Sequence, residues 1–137
     1  MMLATWPGST FAQTAPMMRV ERTPQYTVVL AIGPAEPVMS PMDAMHSSAG
    51  EVVVTGGDMA MMADQIDQGM AANHSVDVRI ALADAMTMVM DVTPTIRITD
   101  KATGVARDLP AVMGMYNSSM GPSDFHYGQN VFLPDGT

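Results

Sequence analysis

Three histidines and 17 methionines are the side chains of this sequence with the widest capacity for chemistry. His46 closes the proline-bearing run "MSPMDAMH", His74 opens "HSVDVRIAL", and His126 stands between Phe125 and Tyr127 in "GPSDFHYGQN". Imidazole is a borderline ligand and thioether sulfur a soft one, so a mixture of the two selects copper over magnesium or calcium. Zinc and ferrous iron stay open through the imidazoles together with Asp77 or Asp124. Met39, Met42 and Met45 precede His46, while Met113, Met115 and Met120 precede His126. For Met59, Met86, Met88 and Met90 the ordinary role of an adaptable apolar side chain is preferred. A histidine on its own, such as His74, is by default a surface or capping residue.

Other chemistries find less support. With no cysteine in the chain, disulfides, thiolate zinc sites, iron–sulfur clusters and cysteine nucleophiles are excluded. No glycine-rich phosphate loop, nucleophile elbow or His-Glu-x-x-His pair occurs. Ser123, Asp124 and His126 lie too close on one segment to read as a triad. The expectation is a binding protein and not an enzyme. A formal net charge of −8 without a Lys/Arg cluster argues against a nucleic-acid partner.

The elements that must position these residues read as strands. "YTVVLAIGP" is β-branched and stopped by Gly-Pro; "GEVVVTGG" is a short β run. "HSVDVRIAL" sets Val76, Val78 and Ile80 against Asp77 and Arg79, the period of a half-buried strand. "MTMVM" reads as one face of another strand. "TPTIRITDKATGVARDLPAV" predicts a hairpin turning at "DKATG", and a last strand is expected around residues 130–133. Met-rich loops are expected at 35–50 and 58–73, although Met59, Met62, Ile66 and Met70 also fit a short amphipathic helix. Residues 1–16 read as a signal-peptide remnant or disordered N-terminus, and residues 17–137 as one domain. No run of the sequence approaches the length of a spanning helix. The fold class predicted is all-β, an immunoglobulin-like antiparallel β-sandwich apparently lacking its last strand, since a turn at Pro134–Gly136 leads nowhere. Strand starts and loops gather at the ends of such a sandwich, where two of the three imidazoles are expected to converge.

The segment "GPSDFHYGQNVFLPDGT", with "LPAVMGM" before it, resembles the C-terminal half of the periplasmic iron-transport accessory proteins. These are copper-binding, immunoglobulin-like proteins of high-affinity iron uptake. The shared pattern is a Pro- and Met-bearing strand, a Gly-Pro loop, then His-Tyr-Gly-x-Asn before an apolar strand, and "NHSVDVRI" is similar to the family's His-led strand. The resemblance implies copper, with iron or another divalent metal as alternatives, held by His74, His126 and Met120 or Met115, with Met113 a third choice. His46 would stand in for a family histidine beyond Thr137. The family's acidic residue two positions after the first histidine is Val76 here, with Asp77 one further on. Implied partners are the metal ion, an inner-membrane iron permease and a second copy of the chain, and the implied location is periplasmic or otherwise extracytoplasmic.

Overall fold

The computed structural model describes residues 17–45, 50–55, 66–84, 86–92 and 94–134. The architecture is all-β. Its longest strands form where valine and isoleucine concentrate, because β-branched side chains fit a pleated surface with little loss of freedom. These are β2 (Tyr26–Pro34) and β7 (His74–Leu82), which pair antiparallel along their whole length. β1 (Met17–Arg22) lies outside β2. Beyond β7 come β11 (His126–Val131), β10 (Met113–Asn117), β4 (Glu51–Thr55) and β3 (Val38–Met39), giving a seven-stranded sheet of order β1-β2-β7-β11-β10-β4-β3. The expected all-β class holds, but the sheet is mixed and not wholly antiparallel as expected, since β3 and β4 run parallel. Two small hairpins stand apart from it: β5 (Ile66–Asp67) with β6 (Met70–Ala71), and β8 (Arg97–Thr99) with β9 (Ala106–Asp108).

Side chains alternate along a strand, and directly opposed residues point the same way, so the register fixes what each face carries. One face collects Leu30 and Ile32 from β2, Val76 and Val78 from β7, and Val131 from β11. Ile96, Ile98 and Leu109, in and beside the β8–β9 hairpin, pack onto this face and close the main core with Leu133. The opposite face carries Asp77 and Arg79 from β7, His126 and Gly128 from β11, Met113, Met115 and Asn117 from β10, and Glu51 and Val53 from β4. Its apolar content is a smaller cluster of Val53, Met113 and Met115 with Val38. One sheet thus has a packing face and a face built from charge, amide and thioether.

Several segments differ from expectation: the last strand starts at His126 and ends at Val131 instead of spanning 130–133, and residues 17–22 form a strand that the sequence reading does not expect. Within 58–73, residues 66–71 form neither a loop nor a helix but the β5–β6 hairpin. Gln68 and Gly69, at φ 56 and 78, make a two-residue turn of the kind that matches strand twist. Met59 and Met62 lie outside the described residues. Within 35–50, Val38–Met39 is a strand, and Pro41 opens the single-turn helix α1 (Pro41–Ala44), where a missing N–H costs nothing; the Ser40 hydroxyl accepts from the Asp43 N–H at 3.1 Å. In "MTMVM" the return along β7 is one bridge, Met88 with Ala81, because Asp84 draws the N–H groups of Met86 and Thr87 into a tight turn.

The β5–β6 hairpin is held by Asp67. Its buried carboxylate accepts from both Nη atoms of Arg107, at 3.0 and 2.5 Å, and from the Phe132 N–H at 2.7 Å. Asp67→Ala is expected to cost about 3 kcal/mol, because it strands a partly buried guanidinium and a backbone donor. Urea unfolding measures this, and a loss below about 1 kcal/mol would mean that water replaces the clasp.

Candidate metal centre

His126 is the first residue of β11 and is delivered there by a 3-10 turn, Pro122–Asp124, entered through Gly121 at φ 83, a backbone region that glycine reaches without strain. Phe125 and Tyr127 flank it in sequence and pack edge to face on each other, with ring centroids 5.1 Å apart. The imidazole Nδ1–H donates to the Asp124 carbonyl at 2.7 Å. That bond places the proton on Nδ1 and turns the lone pair of Nε2 outward from the turn.

Nε2 faces Glu51 Oε1 at 2.6 Å. Sequence reading expects His126 at a rim, yet it is 3% exposed, and so is Glu51. The two atoms lack hydrogen-bond geometry with one another, and neither has another hydrogen-bond partner among the described residues. A basic nitrogen and a carboxylate oxygen so placed can share a proton as an ion pair or share a cation.

The surrounding groups hold this pair in place. Glu51 Oε2 accepts from Asn117 Nδ2 at 2.9 Å. Asp124 is fully engaged: Oδ2 accepts from the Asn117 N–H at 2.9 Å, and Oδ1 takes Arg79 Nη2. The ligand-capable atoms of Glu51, Asp124 and His126 all lie within 4.8 Å of one another. Met115 sits directly opposite His126 across the β10–β11 ladder, 2% exposed. Asp77 lies one strand away, opposite Gly128. A β-carbon on Gly128 would collide with Asp77 Oδ1 and come within 2.8 Å of the Val76 carbonyl, so the missing side chain makes room for the carboxylate. A cavity of about 10 Å³ opens among Glu36, Glu51, Asp77, Met115 and Asn130, which is room for one water-sized body.

Charge states follow from burial and neighbours. Burial pushes the His126 imidazolium down, but Glu51, the Asp124 carbonyl and Asp77 outweigh it and raise His126 above its ordinary value. Burial likewise pushes Glu51 up, and His126, Asn117 and Arg79 outweigh it and hold the carboxyl low. Asp77 has weaker compensation: burial lifts it to about 6, with His126 and Arg79 opposing and Glu51 and Asp124 assisting. Glu36 is raised by burial and by Glu51 and Asp77.

The structure brings Met115 to His126 but not His74. His74 pairs with Val131, five residues along β11 from His126, an odd offset that puts it on the packing face. It lies roughly 17 Å away at strand rise, and its Nδ1 sits 2.8 Å from Asn73 Oδ1. Convergence of these two imidazoles is therefore corrected: they occupy opposite faces and opposite ends of one strand pair. Met120 is 66% exposed in the turn before Gly121, while Met113 is buried two positions along β10 from Met115. His46 lies outside the described residues. Glu51 escapes sequence reading, where its only signal is an acid at the head of the apolar run "EVVVT".

No family model, curated protein or solved structure matches this chain.

Proposed function

We propose that this chain is an exported metal-binding protein that holds copper on the polar face of its sheet through His126 Nε2, Glu51 Oε1 and the thioether of Met115. One observation carries the reading: two buried ligand atoms that face each other at 2.6 Å and have no other hydrogen-bond partner among the described residues, beside a buried methionine in direct register. The donor set of nitrogen, oxygen and thioether fits copper, with iron or another divalent metal as alternatives. Asp77 would add negative charge from beside the cavity, and Asn117 and the Asp124 carbonyl would orient the ligands from behind. The role is binding and delivery, in keeping with the resemblance to iron-uptake accessory proteins and with a permease as recipient.

Periplasmic placement belongs to the same proposal and rests on that resemblance and on the opening pattern of the sequence. No helix among the described residues is long and apolar enough to cross a membrane.

Calorimetric titration of the protein with copper tests the ligand set. One equivalent should bind; Met115→Leu should weaken Cu(I) at least about tenfold, and His74→Ala should leave affinity unchanged. No binding by the wild-type chain, or equal loss in His74→Ala, overturns the assignment.

Two other readings have their own support. A metal-free immunoglobulin-like interaction module is favoured by Arg79 and Asn117, which satisfy Asp124 and half of Glu51 without any cation. It predicts that copper leaves thermal stability unchanged. A Met-rich copper buffer is favoured by the exposure of Met42, Met45 and Met120. It predicts binding that Met115→Leu does not alter.

A further inference from the structure

The two edges of the seven-stranded sheet are finished differently. At one edge, β3 is only two residues long, with Pro37 just before it and α1 just after it, so few free backbone groups are offered. These are the usual devices that blunt an edge. At the other edge β1 has none of them. Its six residues pair with β2 in unbroken register, contain neither glycine nor proline, and are all exposed. Its outer side has no strand neighbour among the described residues. The charges of Arg19, Glu21 and Arg22 are the one device that guards this edge, so it is a template only for a strand whose charges oppose them.

The sequence of β1, Met-Met-Arg-Val-Glu-Arg, says which strand fits. A two-fold axis perpendicular to the sheet pairs residues of equal parity, so that faces continue across the junction. Centring the axis on Arg19 opposes two arginines, and centring it on Glu21 opposes two glutamates. Centring it on Val20 opposes Val20 to itself, Arg19 to Glu21 on both sides, and Met18 to Arg22. Only the last register gives reciprocal opposite charges around an apolar centre. In a chain with 14 acidic and 6 basic residues, this strand holds two of the basic ones and a single acid. Its edge is therefore a place where two acidic molecules can meet without local repulsion.

We infer that β1 is the docking surface for a second copy of this chain, joined antiparallel about Val20 with Arg19 against the partner's Glu21 twice. The pairing would make one continuous 14-stranded sheet, with both polar faces on the same side. This inference does not depend on the metal reading.

A charge swap tests it on the full chain. Sedimentation equilibrium or light scattering should find the wild type dimeric. Arg19→Glu and Glu21→Arg should each shift it to monomer, raising the dissociation constant at least about tenfold, because each puts like charges in opposition at two places. The double variant Arg19→Glu with Glu21→Arg restores opposite charges in the same register and should recover the dimer. Circular dichroism of the exposed single variants would confirm that the fold persists. A monomeric wild type, as expected if another segment of the chain covered the edge, overturns the inference. So do single variants that stay dimeric, or a double variant that does not recover.

Discussion

His126→Ala is expected to abolish specific copper binding, a loss of at least about 100-fold, since changes to groups that merely orient ligands already cost about 10–100-fold. The same change should destabilise the metal-free protein by about 3 kcal/mol, because it leaves the Glu51 carboxylate buried without its counter-charge. Two readouts are needed to separate these effects: a copper isotherm, and urea unfolding without metal. Glu51→Gln supplies the control, as it keeps the shape and the contact to Asn117 while removing charge from the cation site. Copper affinity retained by both variants would sink the ligand assignment, whatever the stability. The pair also sets a pH window. His126 is raised in the folded state, so its contribution is complete below its ordinary 6.5 and fades as pH rises through the folded value. Glu51 is lowered, so its contribution is complete above its ordinary 4.5 and fades as pH falls through the folded value.

Asp77→Asn should do the reverse of most substitutions at a partly buried position and stabilise the metal-free protein near pH 7.5. The Asp77 carboxyl rises from 3.8 to about 6 on folding. Between those values the folded state binds more protons than the unfolded one, so stability falls as pH rises through that window. The full cost, reached above pH 6, is about 2–3 kcal/mol after allowing for partial solvent screening. Asparagine removes it, giving a higher melting temperature at pH 7.5 and little change at pH 4. With copper held by His126, Glu51 and Met115, the same variant should lose part of the gain in melting temperature that copper confers, since it removes a negative charge from the same face one strand away. A variant less stable than wild type at pH 7.5 would show that Asp77 serves the fold and not a ligand. Holding an ionised carboxylate there against its own cost is what a cation site requires and what a plain packing module does not.

How much of this was legible in the sequence depends on how local the cause is. The alternation in β7 announced both the strand and its two faces, because Val76 and Val78 against Asp77 and Arg79 is a pattern within nine residues. The β8–β9 hairpin was equally readable from its turn. β1 was not, since a fully exposed edge strand has no burial to impose a period on its side chains. His126 and Met115 were both picked out by type, but only pairing between β10 and β11 shows that Met115 and not Met120 stands opposite the imidazole. Glu51 was invisible for the same reason: its value comes from Asn117, 66 residues away, and from His126. His74 misled because residue type carries no parity. Its separation from His126 is decided by an odd count along β11 that no motif records.

That count also bears on which changes of length the chain can tolerate. The face to which each side chain of β11 belongs is stored as odd or even position relative to β7, with Val131 held against His74 and Gly128 seated beside Asp77. A single residue inserted between His126 and Val131 would exchange the two sets, driving the imidazole onto the packing face beside Ile80 and Tyr127 into the buried place it left. A pair of residues inserted there would preserve the addressing and only lengthen the strand. Insertions in the turn before His126 would leave it untouched. Variation in length should therefore accumulate around residues 118–121 and be excluded, one residue at a time, from the strand that follows.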